Sequence, residues 1–441
     1  MTYDEAMAFW FGRINYETRS ATPADLKLER MQALLRLLGN PQLAYRIVHI
    51  TGTKGKGSTA AMIEAMLRAN GYRVGLFTSP HLIHVEERTQ IDRVCLPRDE
   101  FAFLMGEVAE AVQHLEDRRF PGTTFFEIST ALAMLAFQRR RCDWVILEVG
   151  LGGRFDSTNV CQPVVSVITS VGFDHMAQLG NTLPEIAYQK AGIIKLGVPV
   201  VSGVSDAESV EVIERVAKEL HAPLVCLGRQ IRFDYAMPKV SVRMPNFVVE
   251  SVPLKLLGHH QACNAALSVA TVQVLRKSGV PISERAILTG LATVQWPARI
   301  EVLQQRPVII LDTAHNVPSI ESLLKTVADA FPNVKRKRVV FAVSSDKQYP
   351  EMLALLAKGV DEFFLTRYGN NPRSVSPEKL AMCLEEVASA SKFVCSDRAA
   401  DGLELALVKT MPDDLLIVTG SVFLAGELQP TLLARFPQAT R

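Results

Sequence analysis

Long apolar runs are missing from this 441-residue chain. None approaches the roughly 18 residues that a membrane-spanning helix requires. The start, Met1 to Trp10, carries Asp4 and Glu5 where a secretion signal wants positive charge. A cytoplasmic protein with no membrane partner is expected. Net charge is also scarce, since 48 basic and 46 acidic residues leave only +2. The Lys and Arg are spread along the chain, so no nucleic-acid partner is expected. The short basic runs, Arg139-Arg140-Arg141 and Lys335 to Arg338, each precede an apolar stretch and read as solvated helix ends or turns. The seven cysteines (95, 142, 161, 226, 263, 383 and 395) show no CxxC or His-pair spacing. They read as free thiols in a reducing compartment, which excludes a disulfide framework. Low-complexity segments and fixed-period repeats are absent too.

What the chain has is a balance of 48% apolar and 21% charged residues, that of a globular protein. Its length exceeds one ordinary core, so two domains are expected, possibly with a third. The dominant rhythm is a short apolar run, a turn signal and an amphipathic stretch. Ile47-Val48-His49-Ile50 predicts a strand, Ser58 to Ala69 a helix ending at Asn70-Gly71, and Val74 to Thr78 another strand. Trp144 to Val149 and Val164 to Thr169 are continuous apolar runs of the kind that parallel sheets bury on both faces. A second series follows, with strands at 307–312, 339–343, 362–365 and 415–419 and a helix at Ser319 to Phe331. The fold class is therefore α/β. A P-loop-containing, mostly parallel sheet forms an N-terminal ATPase domain over 1–296, and a smaller Rossmann-like α/β domain covers 297–441. The boundary is placed at Trp296-Pro297.

Gly52-Thr53-Lys54-Gly55-Lys56-Gly57-Ser58 lies between a predicted strand and a predicted helix. Glycines let backbone approach a polyphosphate, N–H groups converge at the positive helix end, and Lys56 supplies a mobile cation. Gly57 separates Lys56 from Ser58, a departure from the usual GxxxxGK[ST] spacing. A plain glycine turn with a surface lysine is the bland reading, and the context disfavours it. Glu148 ends an apolar strand beside this loop and is placed to hold Mg²⁺. Asp174-His175 follows the next strand, and spacing alone leaves it undecided. Lys190, in Tyr188-Gln189-Lys190-Ala191-Gly192, reads locally as a surface helix lysine. Asp312-Thr313-Ala314-His315-Asn316 serves equally well as a nucleotide contact or as a helix start at Asn316 and Pro318.

In this order, these segments resemble the folylpolyglutamate synthase and dihydrofolate synthase family, within the Mur ligase superfamily. The series includes Leu38-Gly39-Asn40-Pro41-Gln42, the glycine loop, Phe77-Thr78-Ser79-Pro80-His81-Leu82, Glu87-Arg88 and Thr124-Phe125-Phe126-Glu127. It continues through Leu147 to Asn159, Asp174-His175, Lys190-Ala191-Gly192-Ile193, Gly258-His259-His260-Gln261 with Asn264, Trp296 to Glu301, Asp312 to Asn316 and Gly420-Ser421. The resemblance implies an ATP-dependent ligase that phosphorylates a pterin carboxylate and joins L-glutamate to it, on dihydropteroate, reduced folates or both. Gly52, Thr53, Gly55, Lys56, Gly57, Ser58, Asn264, Arg299, Asp312 and His315 would then contact ATP. Ser79, Glu148 and His175 would bind magnesium, with two Mg²⁺ sites expected and a monovalent cation admitted. Lys190 would carry a carbamate, and it joins His175 and Lys56 as the catalytic set. Phe126, Arg154, Phe155 and Asp156 would face the pterin. The small-molecule partners are ATP, glutamate and a pterin or folate, and a monomer is implied. The chain departs from the family at Lys54, where Asn is usual, at Ala298 and Thr313, where Gly is usual, and at Val85-Glu86 in place of Phe-Asn. Two further readings stand beside this one. One is a divergent paralogue joining another amine to another carboxylate, and the other is a nucleotide-binding protein without ligation. A binding module would need only the loop, so the joint presence of Glu148, His175, Lys190, Arg299 and Asp312 argues against the latter.

Overall fold

The computed structural model describes residues 1–15, 28–117, 120, 122–369 and 371–437. The chain divides into two compact units. One comprises Met1–Tyr235, Lys239–Lys255 and Gln261–Val294, and the other comprises Ala236–Pro238, Leu256–His260 and Gln295–Arg441.

The first unit is built on eight strands: β1 (Arg46–Thr51), β2 (Val74–Phe77), β3 (Thr89–Ile91), β4 (Val94–Cys95), β5 (Trp144–Glu148), β6 (Val165–Ile168), β7 (Val200–Ser202) and β8 (Leu224–Cys226). They lie in the order β4-β3-β2-β5-β1-β6-β7-β8. All neighbours from β2 to β8 pair in parallel, and β3 and β4 add an antiparallel edge. Every residue of β2, β5 and β6 is buried, which is why these runs show no alternation in sequence. Val145 and Leu147 face a core shared with the helices Tyr3–Phe11, Leu28–Leu37, Arg98–Asp117 and Phe125–Arg139. Trp10 anchors that core by stacking on Phe125 at 4.6 Å and donating its indole N–H to the Phe125 carbonyl at 2.9 Å.

The helix Lys56–Ala69 is buried without a break from Ser58 to Leu67. It therefore lacks the single apolar stripe of a surface helix. Gly290, on the helix Glu284–Thr293, permits that closeness, since a Cβ there would lie 2.6 Å from Met66. Gly71 adopts φ +91° and ends the helix as its Asn-Gly signal predicts. A hairpin sheet of β9 (Arg232–Ala236), β10 (Lys239–Met244) and β11 (Phe247–Pro253) follows.

The second unit holds β12 (Glu301–Gln305), β13 (Val308–Leu311), β14 (Lys337–Phe341), β15 (Glu362–Leu365), β16 (Lys392–Cys395) and β17 (Leu415–Thr419). Their order is β12-β13-β17-β14-β15-β16, parallel except for β12. One basic run departs from its solvated reading. Arg338 is only 4% exposed and pairs with Asp414 at 2.6 Å and Glu362 at 3.1 Å. Its partners lie 76 and 24 residues away in sequence, so local context did not reveal them.

All seven cysteines are free thiols. Among the described residues, no helix is long and apolar enough to cross a membrane.

Candidate active site

In the first unit the carboxyl ends of β1, β5 and β6 lie side by side, with β1 between its two neighbours. The chain leaves β1 toward β2 on one side, while β6 to β8 extend on the other. This is the switch point at which open α/β sheets bind ligands.

Gly52 to Gly55 connect β1 to the helix Lys56–Ala69, and Gly55 is that helix's N-cap, in the left-handed conformation at φ +85°. A Cβ on Gly55 would lie 2.4 Å from Asn264 Oδ1. Both space and backbone therefore demand glycine. Gly55→Ala is expected to weaken ATP binding roughly tenfold or more, from strain of about 1–3 kcal/mol in the loop. Isothermal calorimetry with ATP measures it.

The loop is held from behind by the segment after β6. Thr53 N–H donates to the Ser170 carbonyl at 2.9 Å, and Lys54 N–H to Ser170 Oγ at 2.9 Å. Thr169 Oγ1 donates to the Lys54 carbonyl at 2.6 Å, and Gly172 N–H to Thr53 Oγ1 at 3.0 Å. Lys56 Nζ folds back onto the Gly52 carbonyl at 3.0 Å. Gln261 Nε2 donates to Ser58 Oγ at 3.2 Å, and Gln261 Oε1 accepts from Asn264 Nδ2 at 3.0 Å. Both residues stand in the motif series of the sequence, where Asn264 alone is given an ATP contact and Gln261 no role. The signal was their i,i+3 spacing, which puts both on one face of the helix His259–Lys277.

Lys54 Nζ is 3.2 Å from Asp174 Oδ2. The Lys54 side chain is 41% exposed, so this pair is worth at most about 1 kcal/mol. Lys54→Asn is accordingly expected to change the KM for ATP by less than about threefold in steady-state kinetics.

Glu148 ends β5 opposite Ile50 and is buried. Its Oε2 accepts from Ser79 N–H at 3.4 Å. Glu87 organises the neighbouring turn by accepting the N–H groups of Leu82, Ile83 and His84 at 2.7, 3.0 and 2.8 Å. Next to it, Val85 and Glu86 are buried, and Glu86 accepts a hydrogen bond from Tyr3. Burial and Glu86 push the Tyr3 hydroxyl up to about 12.

The Ser79 hydroxyl and the Glu148 carboxylate are hard oxygen donors that fit Mg²⁺, which keeps several waters and takes phosphate oxygens alongside one or two carboxylates. Among the described residues no three His, Cys, Asp or Glu side chains converge as a metal site. His175 stands in the left-handed region at φ +50°, 58% exposed, with Nε2 3.7 Å from Asp174 Oδ1.

Lys190 corrects its local reading as a surface lysine, because it is 3% exposed near the end of the helix Leu183–Ala191. Burial first, and then the positive charge of Lys56, pull its amine down to about 7, with Asp174 opposing and Lys54 adding to the pull. Near neutral pH about half of such an amine is uncharged.

The 150–159 loop crosses this helix end. Gly192 leaves room for it, since a Cβ there would meet Arg154 Cα at 2.4 Å. Arg154 stacks its guanidinium 3.9 Å over the Tyr188 ring, and Phe155 is 46% exposed. Phe126 lies against Gly150 and packs on Phe77 at 5.8 Å. Asp156 differs from these three, because its carboxylate is buried and bonded within its own loop.

In the second unit, Asp312 is buried and accepts from Ile300 N–H at 2.9 Å, Ala314 N–H at 2.7 Å and Thr419 Oγ1 at 3.2 Å. His315 Nδ1 is 2.9 Å from the Thr313 carbonyl. Arg299 donates to Thr313 Oγ1, which donates in turn to the Ala298 carbonyl at 3.3 Å. Ala298 adopts φ +53°, the physical reason glycine suits that position. Asn316 caps the helix Val317–Ala330 through Ser319 N–H at 3.1 Å, so the helix-start reading holds for it.

Residues 50–272 match the Mur ligase middle domain, and residues 298–422 match the Mur ligase glutamate ligase domain. The chain is 36% identical to a dihydrofolate synthase/folylpolyglutamate synthase of Bacillus subtilis, covering 98% of this chain and 99% of that one. Among solved structures it resembles Escherichia coli FolC in complex with DHPP and ADP, with a TM-score of 0.86 and 30% identity over 99% of this chain and 98% of that one. It also resembles the Mycobacterium tuberculosis folylpolyglutamate synthase complexed with ADP, with a TM-score of 0.87 and 28% identity over 98% of each chain.

Proposed function

Since the chain belongs to the folylpolyglutamate synthase and dihydrofolate synthase family of Mur ligases and is an ATP-dependent acid–amino-acid ligase, we propose that it joins L-glutamate to the carboxylate of a pterin, dihydropteroate or a reduced folate. The observation that carries this reading is Lys190, a buried amine with a pKa of about 7 beside the phosphate-binding loop. A module that only held nucleotide would have no use for it.

In the proposed reaction the acceptor carboxylate attacks the γ-phosphorus of ATP, forming an acyl phosphate and releasing ADP. The glutamate amine then attacks the acyl carbon, and phosphate leaves. Phosphoryl transfer of this kind asks for positioning and charge neutralisation more than for a protein nucleophile. The backbone of Gly52, Thr53, Gly55 and Gly57, with Ser58 and Asn264, cradles the nucleotide. Lys56 turns from the Gly52 carbonyl to the phosphates. Ser79, Glu148 and His175 are assigned to Mg²⁺, which when bound neutralises charge on the phosphate oxygens. The uncharged fraction of Lys190 can add carbon dioxide through its nitrogen and lose a proton, so a cation becomes a carbamate anion suited to metal. In the second unit, Arg299, Asp312 and His315 are assigned to ATP. Phe126, Arg154 and Phe155 are assigned to the pterin, with Asp156 supporting them.

Purified protein with Mg-ATP and glutamate should release ADP only when a pterin acceptor is added, read by a coupled assay and by product mass. No release with dihydropteroate or any reduced folate would refute the proposal.

A further inference from the structure

His49 lies in the middle of β1 and is completely buried, and the reaction outlined above does not use it. Its Nε2 is 2.8 Å from Thr158 Oγ1. Thr158 has a single hydroxyl proton and gives it to Asp156 Oδ1 at 2.5 Å. Burial raises the Asp156 carboxyl against the bonds it accepts from Thr158, Leu151 and Gly150; while that carboxyl is ionised, the His49 ring donates to Thr158, with its proton on Nε2. Burial pulls the imidazole down to about 3, so it carries one proton and no charge. Nδ1 is left buried without a hydrogen-bond partner among the described residues. An apolar residue would avoid that cost in the middle of a buried strand, and the donor is the property it would lose.

The far end of the chain of bonds is the 150–159 loop. Asp156 Oδ2 accepts from Leu151 N–H at 2.9 Å and Oδ1 from Thr158 N–H at 3.0 Å, so one carboxylate ties the two ends of the turn. Thr51 Oγ1 donates to the Gly152 carbonyl at 2.5 Å, a second tie to β1. The loop in turn grips the Lys190 helix. Arg154 N–H donates to the Gln189 carbonyl at 2.8 Å, and Asn159 Nδ2 donates to the carbonyls of Arg154 and Gly192 at 3.0 and 3.1 Å.

We infer that His49 and Thr158 are positioning residues, which hold Asp156 and through it the 150–159 loop in the shape that receives the acceptor. The relay Nε2–H→Oγ1–H→carboxylate runs from the sheet to the loop without touching the phosphate-binding turn. This inference rests on the proposed function for the identity of the acceptor, and on the hydrogen bonds alone for the ordering of the loop.

The test uses the full chain with four variants. Thr158→Val and His49→Leu remove the hydroxyl and the ring donor, whereas Thr158→Ser and His49→Gln keep a donor in place. The first two are expected to raise the KM for the pterin acceptor roughly tenfold, the scale of one hydrogen bond to a buried charged group. Their KM for ATP should stay within about twofold, and the two conservative variants should stay within about threefold on both substrates. Hydrogen exchange supplies a readout independent of turnover. The amides of Leu151 and Thr158 should exchange faster in Thr158→Val and His49→Leu, while those of the helix Lys56–Ala69 should not. An equal rise in KM for ATP and acceptor, or unchanged exchange at Leu151 and Thr158, would overturn the relay. A wild-type protein inert toward every pterin would instead refute the proposed function, and exchange would still decide the relay.

Discussion

Lys190→Ala is expected to lower the rate of ligation by roughly a thousandfold or more, while ATP still binds with a Kd within about threefold of the wild-type value. The asymmetry follows from where the residue sits. In the proposed site the nucleotide is held by the glycine loop and its backing by Thr169, Ser170 and Gly172, none of which touches Lys190 through a hydrogen bond. The Lys190 amine is held at about 7 chiefly by burial and by Lys56. A group in that position serves the chemical step if it becomes an anion by taking up carbon dioxide. The truncated variant leaves space for a small carboxylate, so added acetate or formate should restore part of the lost rate. Single-turnover kinetics and calorimetry on the same preparation measure both quantities. Wild-type turnover by the Ala variant would remove the assigned role.

Arg338→Ala is expected to be the most damaging single change in the second unit, at about 3–5 kcal/mol. It leaves Asp414 buried and Glu362 half-buried without the guanidinium between them. For a unit of this size the thermal transition should fall by roughly 6–20 °C, read by calorimetry. Burial alone would raise both carboxyls. Hydrogen bonds from Met411 N–H and Arg338 to Asp414, and from Lys409 and Arg338 to Glu362, nevertheless hold both below the ordinary carboxylate range. The unfolded chain binds protons at higher pH than the folded one at these two groups. Their contribution to stability is therefore complete above about pH 4–5 and is lost as pH falls through the depressed folded values. The variant should show a shallower loss of stability on acidification than the wild type.

The sheets were legible because a strand buried on both faces writes itself as an unbroken apolar run. Trp144 to Glu148 and Leu415 to Thr419 are such strands, and both are fully buried. The phosphate loop was legible for a related reason, since its glycines are local requirements of backbone geometry. The environments of Lys190, Arg338 and Lys54 were not legible, because each is set by residues far away in the chain. The 150–159 loop crosses the end of the Lys190 helix at Gly192, Asp414 neutralises Arg338, and Asp174 pairs with Lys54. The glycine at 192 was visible in sequence, but the crossing backbone that requires it was not. His49 was read only as one residue of a strand, since a histidine inside an apolar run gives no sign of its partner 109 positions later.

The free thiols turn the protein into its own clock. Burial raises all seven, with Cys142 and Cys161 pushed up to about 12 and Cys263 to about 11. Only the thiolate reacts with an alkylating reagent, so at pH 8 a thiol with a pKa near 12 reacts at about a ten-thousandth of its full rate. Labelling of the buried cysteines must then wait for the backbone around them to open. The three buried ones, Cys142, Cys161 and Cys226, belong to the first unit with the half-buried Cys95 and Cys263, whereas the second unit holds the half-buried Cys383 and the exposed Cys395. Mass spectrometry of a quenched alkylation time course therefore times the opening of the first unit, with no engineered probe. Saturating ATP should slow the first set through the occupied glycine loop, and the amount of slowing reports the binding free energy.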